Sequence, residues 1–358
     1  MHEMWYKINN RIMAKKKKPI GLRVRNKLWN YAVRFTKNTP FKYWIYKSWW
    51  HYIFHSNKVN LNFEPTDEMY YGARINYFAG IGHQLANWID GLHWAENFGM
   101  KHVNLPFSNP KWEALLGFSN GEVSINQLKA KGYMVRRIPP FGESNQSEID
   151  FVKRIMSTYI GKKVVFWPPQ DHFYRDMYGV GEELRRRWDA APSRKNDKIV
   201  YDKSKFNIAM HVRRTVVIDG QTIIEEGENK AKRWLANNYY EKVLTQVLES
   251  IKPSKPIAIY IFSTGKAEEF AEFKKYGDVH FCSDMDEYMS FAHLVYADLL
   301  ITSKSSFSYK PALMNTGIKV CPGNFWHGYP QDDPKWILCE NDGSLDTKKL
   351  AMLFSNDL

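Results

Sequence analysis

The sequence predicts an α/β chain with parallel, doubly wound sheets. Strand-length apolar runs alternate with helical patterns through the second half, and this rhythm is typical of parallel sheets covered by helices. A length of 358 residues is enough for two domains. Hydrophobic residues are 44% and charged residues 25%, which excludes bulk disorder and fibrous classes. We expect a basic segment at 1–64, a first domain at 65–198 and a second domain at 199–358.

The first domain is expected to start with a strand at Arg74–Phe78, which the Gly80-Ile81-Gly82 turn ends. A helix should follow from His83 to Phe98, because its apolar residues share one broad face and Gly99 ends it. The other expected elements are strands at His102–Leu105 and Val164–Trp167, a helix at Glu182–Trp188 and an inter-domain linker at Pro192–Asp197.

The second domain has the clearer alternation. The expected strands are Phe206–Val212, Ile257–Phe262, Val279–Phe281, Asp298–Thr302 and Ile318–Val320, and the expected helices are Tyr239–Ile251, Lys266–Tyr276, Met285–Tyr296 and Phe307–Asn315. In parallel sheets of this kind, ligands bind beyond the carboxyl ends of the strands. The polar motifs that follow these strands are therefore the candidate site.

Cysteine content and hydropathy exclude several classes. Cys282, Cys321 and Cys339 are too few for a disulfide scaffold, and they lack the C-x-x-C spacing of a structural zinc site. No apolar run reaches the roughly 18 residues of a membrane span, and the N-terminus lacks the apolar core of a secretory signal. We therefore expect a cytoplasmic protein in a reducing environment.

The net charge of +13 lies entirely in residues 1–60, which hold 14 basic residues, one acidic residue and 13 aromatic residues. The rest of the chain holds 37 basic and 37 acidic residues. Basic and aromatic residues together favour an anionic membrane surface, here the inner face. A solvated basic tail followed by packed helices, or a nucleic-acid contact, uses the same residues. Because the main body is neutral, we expect no nucleic-acid partner.

Three motifs follow strands and suit an anion. His211-Val212-Arg213-Arg214 places two permanent cations beside an imidazole, although paired surface arginines would look the same. Ser303–Ser308 offers hydroxyl and N–H groups at a helix start, although serine is also a common helix cap. Gly80–Gln84 has two glycines of a dinucleotide fingerprint but Leu85 in place of the third, and it also fits a plain turn.

Asp284-Met285-Asp286 could hold a divalent metal, or it could be acids that favour a helix N-terminus. We favour the helix interpretation and expect no metal. His293 and His327 are interpreted as structural.

These motifs, in this order, resemble the nucleotide-binding half of the GT-B fucosyltransferases, which include α1,2-, α1,6- and nodulation chitooligosaccharide enzymes. The resemblance covers residues 70–330 and includes I-Y-I-F-S-T-G-K-A-E-E-F, A-D-L-L-I-T-S-K-S-S-F-S-Y-K-P-A-L-M-N-T-G and the earlier G-I-G-H-Q-L-A-N-W. It implies two Rossmann-like domains with the nucleotide-sugar site in the C-terminal one. It also implies a GDP-fucose donor, an inverting mechanism and no metal. We expect a glycan or glycolipid acceptor, the lipid being indicated only by the basic aromatic N-terminus, and no cofactor.

The resemblance also implies roles for individual residues. Arg213 would bind the β-phosphate of the donor, with His211 and Arg214 beside it. The diphosphate would lie between Ser305 and Ser306 on one side and Gly82 and His83 on the other, with guanine near the Phe281–Ser290 segment.

One departure concerns the catalytic base. The family pattern continues H-x-R-R-x-D, whereas Val216 stands at the position of the acid here. Asp219 follows three residues later and Glu225 lies in the same loop, so these two are the candidate bases, although a solvated loop would also carry them. A transferase that uses another nucleotide sugar, a metal-dependent transferase and a basic binding protein without catalysis remain alternatives.

Overall fold

The computed structural model describes residues 20–36, 39, 41–77, 79–168, 174–218, 221–223 and 232–355. Its helices of 6 to 17 residues alternate with short strands in two parallel sheets. The helices are α1 Ile20–Thr36, α2 Lys47–Phe54, α3 Ile81–Asn97, α4 Pro110–Leu116, α5 Ile125–Ala130, α6 Gln146–Ser157, α7 Gly181–Ala190, α8 Asn237–Ser250, α9 Glu287–Tyr296, α10 Ser306–Met314 and α11 Thr347–Ser355. The strands are β1 Met69–Tyr71, β2 Lys101–His102, β3 Met134–Arg137, β4 Val164–Trp167, β5 Phe206–Val212, β6 Val216–Ile218, β7 Gln221–Ile223, β8 Ile257–Ser263, β9 Val279–Phe281, β10 Leu299–Ile301, β11 Ile318–Pro322 and β12 Trp336–Cys339.

The second sheet has six parallel strands in the order β12-β11-β10-β5-β8-β9. Counted from its first strand, this is the 3-2-1-4-5-6 order of the doubly wound dinucleotide-binding fold. From β5 the strands are added toward one edge of the sheet, as far as β9, and from β10 they are added toward the other edge. The two halves meet where β5 and β10 pair in parallel, from Leu299↔Ile208 to Ile301↔Met210. A crevice opens at such a switch point, so the fold itself marks where a ligand can bind.

Residues of β5 alternate between the two faces of this sheet. Ile208 and Met210 belong to the hydrophobic cluster that α8 and α11 cover, whereas Ala209 belongs to the cluster under α9 and α10. Because side chains alternate along a strand, His211 shares the face of Ala209 and lies toward α10. Burial on both faces explains why the strands read as continuous apolar runs.

The first sheet has four parallel strands in the order β2-β1-β4-β3. One of its faces packs against α3 and α6, whose buried residues include Trp94, Val152 and Met156. Trp88, Trp112 and other residues of this domain share one hydrophobic cluster with α9 and α10 of the second domain. Two Rossmann-like sheets joined by a common core form the GT-B-like arrangement that the sequence predicted.

Most elements lie where the sequence predicted them, but two do not, and one predicted helix is of the 3-10 type. The expected strand at Arg74–Phe78 is wrong, because the strand is Met69–Tyr71 and residues 74–77 are irregular. The expected strand at His102–Leu105 lies earlier, at Lys101–His102, with Asn104 in an isolated bridge to Ser124. Lys266–Tyr276 is a 3-10 helix, Ala267–Tyr276, with a kink at Phe270.

At the expected linker, the chain forms a 3-10 helix, Pro192–Asn196. The guanidinium of Arg194, which belongs to this helix, lies 3.4 Å from the centre of the Trp188 ring. Among the described residues, no helix is long and apolar enough to cross a membrane.

Candidate functional site

A cleft of about 240 Å³ opens at the switch point of the second sheet. One wall is formed by residues that follow β5, β8 and β10, and the other by the turn before α3 and its first residues. The predicted residues that meet here are Gly82, His83, His211, Arg213, Arg214, Ser305 and Ser306. Residues of the two walls that are 128 to 224 positions apart in the sequence are thus brought into one site.

Arg213 and Ser305 form the centre of the C-terminal wall. Arg213 Nη1 donates to Ser305 Oγ at 3.1 Å, which joins the end of β5 to the start of α10. Ser305 is the N-cap of α10, and its Oγ also accepts from the Phe307 N–H at 3.2 Å. Since Oγ accepts in both bonds, the hydroxyl hydrogen is available to donate toward the cleft. A guanidinium, a hydroxyl and a helix N-terminus therefore point at the same place, which suits a phosphate.

Beneath this pair, His211 is buried and fixed. Its Nδ1 lies 2.7 Å from Ser303 Oγ, and its ring lies 5.4 Å from that of Phe307. Burial, with smaller contributions from the neighbouring Arg213 and Arg214, lowers the pKa of His211 to about 3. The imidazole is therefore neutral at physiological pH and supports the wall without adding charge.

The serine-rich motif divides into two roles. Ser303 and Ser308 are buried, and the Ser303 N–H donates to Ser308 Oγ at 3.2 Å. Ser306, by contrast, lines the cleft, with its Oγ 3.0 Å from His327 Nε2. His327 stacks on Tyr309 at 4.0 Å and has a pKa lowered by burial. It is structural in its packing, as predicted, but it also positions a cleft residue.

Arg214 is held differently from Arg213, although the two are adjacent. Its guanidinium donates to the Leu235 carbonyl at 3.1 Å and to Asn237 Oδ1, and it lies 4.4 Å from the Trp234 ring. Burial lowers its pKa. Arg214 borders the cleft while its donors fix the segment before α8, so Arg213 is the better placed of the two to meet a ligand.

The opposite wall is built from backbone rather than charge. A Cβ at Gly82 would lie 2.6 Å from the carbonyl carbon of Ser306, so only glycine allows α3 and α10 to approach this closely. Gln84 fixes the turn before α3, because its amide donates to the Ala79 carbonyl and to Ser108 Oγ at 2.8 Å each. The start of α3, which has 17 residues, therefore faces the start of α10 across the cleft. Two helix N-termini give the cleft a positive potential.

The remaining lining includes residues that sequence reasoning missed. These are Trp112, Arg233, Thr264 and Trp326. Thr264 accepts from Thr215 Oγ1 at 2.6 Å and follows β8, so strand-end position could have indicated it. Arg233 and Trp326 come from segments without a motif, and no pattern in the sequence marks them.

The acidic side chains on the described wall of the cleft are Asp286 and Glu287. Asp286 is the N-cap of α9, and its Oδ1 accepts from the Met289 N–H at 2.8 Å, as the helix interpretation of the D-x-D triplet predicts. Within the described part of the chain, no three His, Cys, Asp or Glu side chains are grouped to hold a metal ion. His293 is structural: its Nε2 accepts from the Val200 N–H at 3.0 Å.

The two candidate bases, Asp219 and Glu225, lie outside the described residues. Val216, which stands at the place of the motif acid, opens an antiparallel hairpin in which Ile218 pairs with Gln221.

With the geometry defined, solved structures offer a comparison. The chain is similar to solved fucosyltransferases. NodZ α-1,6-fucosyltransferase co-crystallised with GDP is 13% identical with a TM-score of 0.43, over 78% of this chain and 98% of that one. NodZ from Bradyrhizobium is 13% identical with a TM-score of 0.40, over 78% and 98%. POFUT1 in complex with GDP is 12% identical with a TM-score of 0.41, over 72% and 100%.

No protein-family model and no curated protein matches the sequence. Identities and TM-scores this low do not transfer an activity, so the function proposed below rests on the cleft and on the sequence motifs that line it.

Proposed function

We propose that this protein is an inverting glycosyltransferase that binds a nucleoside diphosphate sugar in the cleft, most specifically GDP-fucose. The observation that carries the proposal is the bond from Arg213 to Ser305 at the switch point of a 3-2-1-4-5-6 sheet. This places a permanent cation and a capped helix N-terminus where a diphosphate binds in such folds. The motif resemblance supports guanine and fucose as the base and the sugar.

The proposed reaction is a single displacement. An acceptor hydroxyl oxygen bonds to the anomeric carbon while the bond from that carbon to the β-phosphate oxygen breaks. The electron pair leaves with the diphosphate, and the hydroxyl proton passes to a carboxylate. The transition state resembles an oxocarbenium ion, so stabilising the leaving group and removing the proton are the two tasks of the protein.

Leaving-group stabilisation is assigned to the C-terminal wall. Arg213 and the Ser305 hydroxyl are fixed before the substrate arrives, so they stabilise the growing negative charge without reorganising. Arg233 on the same cleft adds a second cation. Such fixed positive groups can act in place of a metal, and we therefore propose a metal-independent reaction.

Proton removal is assigned to Asp219 or Glu225, and the acceptor is a hydroxyl of a glycan or glycolipid. Glu287, on the described wall, lies in the segment where guanine is expected, and a carboxylate matches the N–H donors of that base. We propose that the reaction takes place on the cytoplasmic side of a membrane.

The test is thermal unfolding of the wild type with GDP, UDP and ADP, each in Mg²⁺ and in EDTA. A ligand at 100 times its Kd stabilises the native state by about 2.7 kcal/mol. We expect stabilisation by GDP that EDTA does not change and that Arg213→Ala abolishes. Arg186→Ala is the matched control, because it removes a guanidinium that is 67% exposed on α7, outside the cleft.

Each other result changes the proposal in a defined way. Stabilisation by UDP alone would keep a transferase and change the donor. Dependence on Mg²⁺ would replace the metal-independent mechanism. No stabilisation by any nucleotide would exclude the donor site and favour a basic binding protein. If GDP stabilises the protein, release of fucose from GDP-fucose is measured next. Loss of this release in Asp219→Asn or in Glu225→Gln would identify the base.

A further inference from the structure

The first two helices expose an unusual amount of apolar surface. Val24, Leu28, Tyr31 and Phe35 of α1 are 50%, 66%, 76% and 78% exposed. At 100° per residue they fall within an arc of about 60°, so they form one continuous stripe along the helix. A helix whose partner is only the protein body would carry polar residues on this outward face.

A row of aromatic rings follows α1 in the chain and adds a second group of exposed apolar side chains. Its members pack edge to face or face to face, with centroids 4.6 to 6.5 Å apart in the order Phe41, Trp44, Trp49, Trp50 and Phe54. Phe54 is 75% exposed and Trp44 49% exposed. The indole N–H of Trp50 donates to the Trp44 carbonyl at 2.7 Å, which fixes the row. Rings with one wet edge and an apolar body are typical of a water–lipid interface.

The opposite faces of these elements are attached to the first domain. Ser48, which is fully buried, donates to the Arg137 carbonyl at 2.7 Å. The Arg137 guanidinium lies 4.0 Å from the Trp29 ring of α1, and the His51 ring stacks on Tyr159 at 3.8 Å. The exposed surface is therefore presented by a rigid support. Arg137 is the last residue of β3, so the support is attached to the first sheet.

The apolar exposure is concentrated in this one part of the molecule. Of the 14 large hydrophobic residues exposed in the described chain, nine lie between Val24 and Leu61. Residues 1–60 supply the whole net charge of the protein, and Lys27 and Arg34 lie on one flank of the α1 stripe. Lys42 and Lys47 are exposed beside the aromatic row.

This charge decides which partner fits. A second copy of the chain would place like charge against like charge, which disfavours self-association. A nucleic acid would use the cations and the rings, but it offers nothing to the aliphatic Val24 and Leu28. An anionic bilayer satisfies all three features, since phosphates meet the cations, headgroups meet the rings and acyl chains meet the aliphatic side chains.

We propose that this surface, the docking face formed by Val24, Leu28, Tyr31, Phe35, Phe41, Trp44, Ile53 and Phe54, binds parallel to a bilayer that contains anionic lipid, inserting its apolar side chains at the headgroup level. The inference concerns a surface outside the cleft and does not depend on the proposed activity.

The experiment is co-sedimentation of the full chain with vesicles of phosphatidylcholine, with and without phosphatidylglycerol. We expect binding only to the anionic vesicles. Tyr31→Ser/Phe35→Ser should weaken partitioning by about tenfold or more, because two exposed rings lose their contact with lipid. Lys27→Gln/Arg34→Gln should weaken it by about 25-fold, at roughly fivefold per basic side chain, and less at high salt. Thermal unfolding should be unchanged, since the replaced side chains are exposed.

Two matched controls carry the same substitutions elsewhere. Val200→Ser/Met352→Ser removes two apolar side chains that are 55% and 64% exposed, and Lys129→Gln/Lys131→Gln removes two exposed charges of the first domain. Both should bind anionic vesicles as the wild type does. A wild type that ignores anionic vesicles, or serine variants that bind like the wild type, would overturn the proposal. So would a dimer that dissociates in the Tyr31→Ser/Phe35→Ser variant, because the face would then join two copies.

Discussion

The two walls of the cleft are built on different physical principles. The C-terminal wall presents side chains held by hydrogen bonds, such as Arg213 on Ser305 and His211 on Ser303. The N-terminal wall presents backbone, with Gly82 packed directly on Ser306. One wall therefore supplies the groups that recognise charge, and the other sets how closely the two domains approach. Substitutions should separate these roles. A change in the C-terminal wall should chiefly lower the affinity for a nucleotide, and a change in the N-terminal wall should chiefly lower the free energy of unfolding.

The largest effect is expected for Ser305→Ala. It removes the cap of α10, the acceptor for Arg213 and the hydroxyl that faces the cleft. Nucleotide Kd should rise by about 30-fold, and the free energy of unfolding should fall by about 1 kcal/mol. Titration with GDP and urea unfolding measure the two quantities.

Asn145→Ala is the matched control for that change, because Asn145 caps α6 in the first domain, away from the cleft lining. It should lose similar stability and bind the nucleotide normally. Equal loss of affinity in both variants would mean that the C-terminal wall has no special role in recognition.

On the opposite wall, Gly82→Ala should destabilise the protein by about 1–2 kcal/mol. The new Cβ would lie 2.6 Å from Ser306 backbone, which outweighs the gain in helix propensity. Gly142→Ala is the control, since its Cβ would meet Asn145 Cβ at an ordinary 3.4 Å. Differential scanning calorimetry compares the two. A Gly82→Ala variant with the stability of the wild type would show that α3 and α10 can move apart at no cost in free energy.

A third effect is a pH dependence that belongs to the C-terminal wall. Burial holds the pKa of His211 at about 3, below the usual value near 6.5. The unfolded chain therefore binds a proton that the folded chain does not, and stability is lost as the pH falls from 6.5 toward 3. The loss from this residue approaches about 1.4 kcal/mol per pH unit.

His211→Asn should flatten the stability profile between pH 6.5 and pH 4 by that slope, measured by urea unfolding at several pH values. His93→Asn in the first domain offers the comparison, because burial lowers the pKa of His93 to about 4 while its ring stays half-buried against Tyr174. Its contribution should be smaller. Identical profiles for wild type and His211→Asn would contradict a neutral His211.

The smallest effect is expected behind the C-terminal wall, at Lys310. This side chain of α10 is buried, its Nζ contacts Met177 Sδ, and burial lowers its pKa well below the usual range. Lys310→Met should raise stability by about 1 kcal/mol at neutral pH, because no amine then has to lose its proton on folding. The gain should shrink as the pH rises toward 10.5, where the unfolded amine is also neutral. A destabilised variant would indicate that the amine has a role in joining α10 to the Met177 segment.

The sequence alone identified the second sheet well. Ile257–Phe262 is a continuous apolar run because both faces of that strand are covered, and such runs need no partner to be recognised. In the first sheet, Val164–Trp167 was predicted from a run of the same kind, but the other strands, of two to four residues, carry no such signal, and β3 and α6 were not predicted. In the second domain, β12 and α11 were not predicted. The cap at Asn145 and the capping box of Ser124 with Gln127 were local signals that could have found α6 and α5.

For the site, residue type and position after a strand were enough to select His211, Arg213, Ser305 and Ser306. Only the family resemblance assigned the phosphate to Arg213. The sequence motif itself did not distinguish Arg213 from Arg214, because that difference comes from Asn237 and Trp234, which approach only in the folded chain. It could not find Arg233 or Trp326 for the same reason. Strand patterns and helix caps are local and can be read from the chain, whereas the direction of a side chain and the close approach of two helices depend on packing between distant segments.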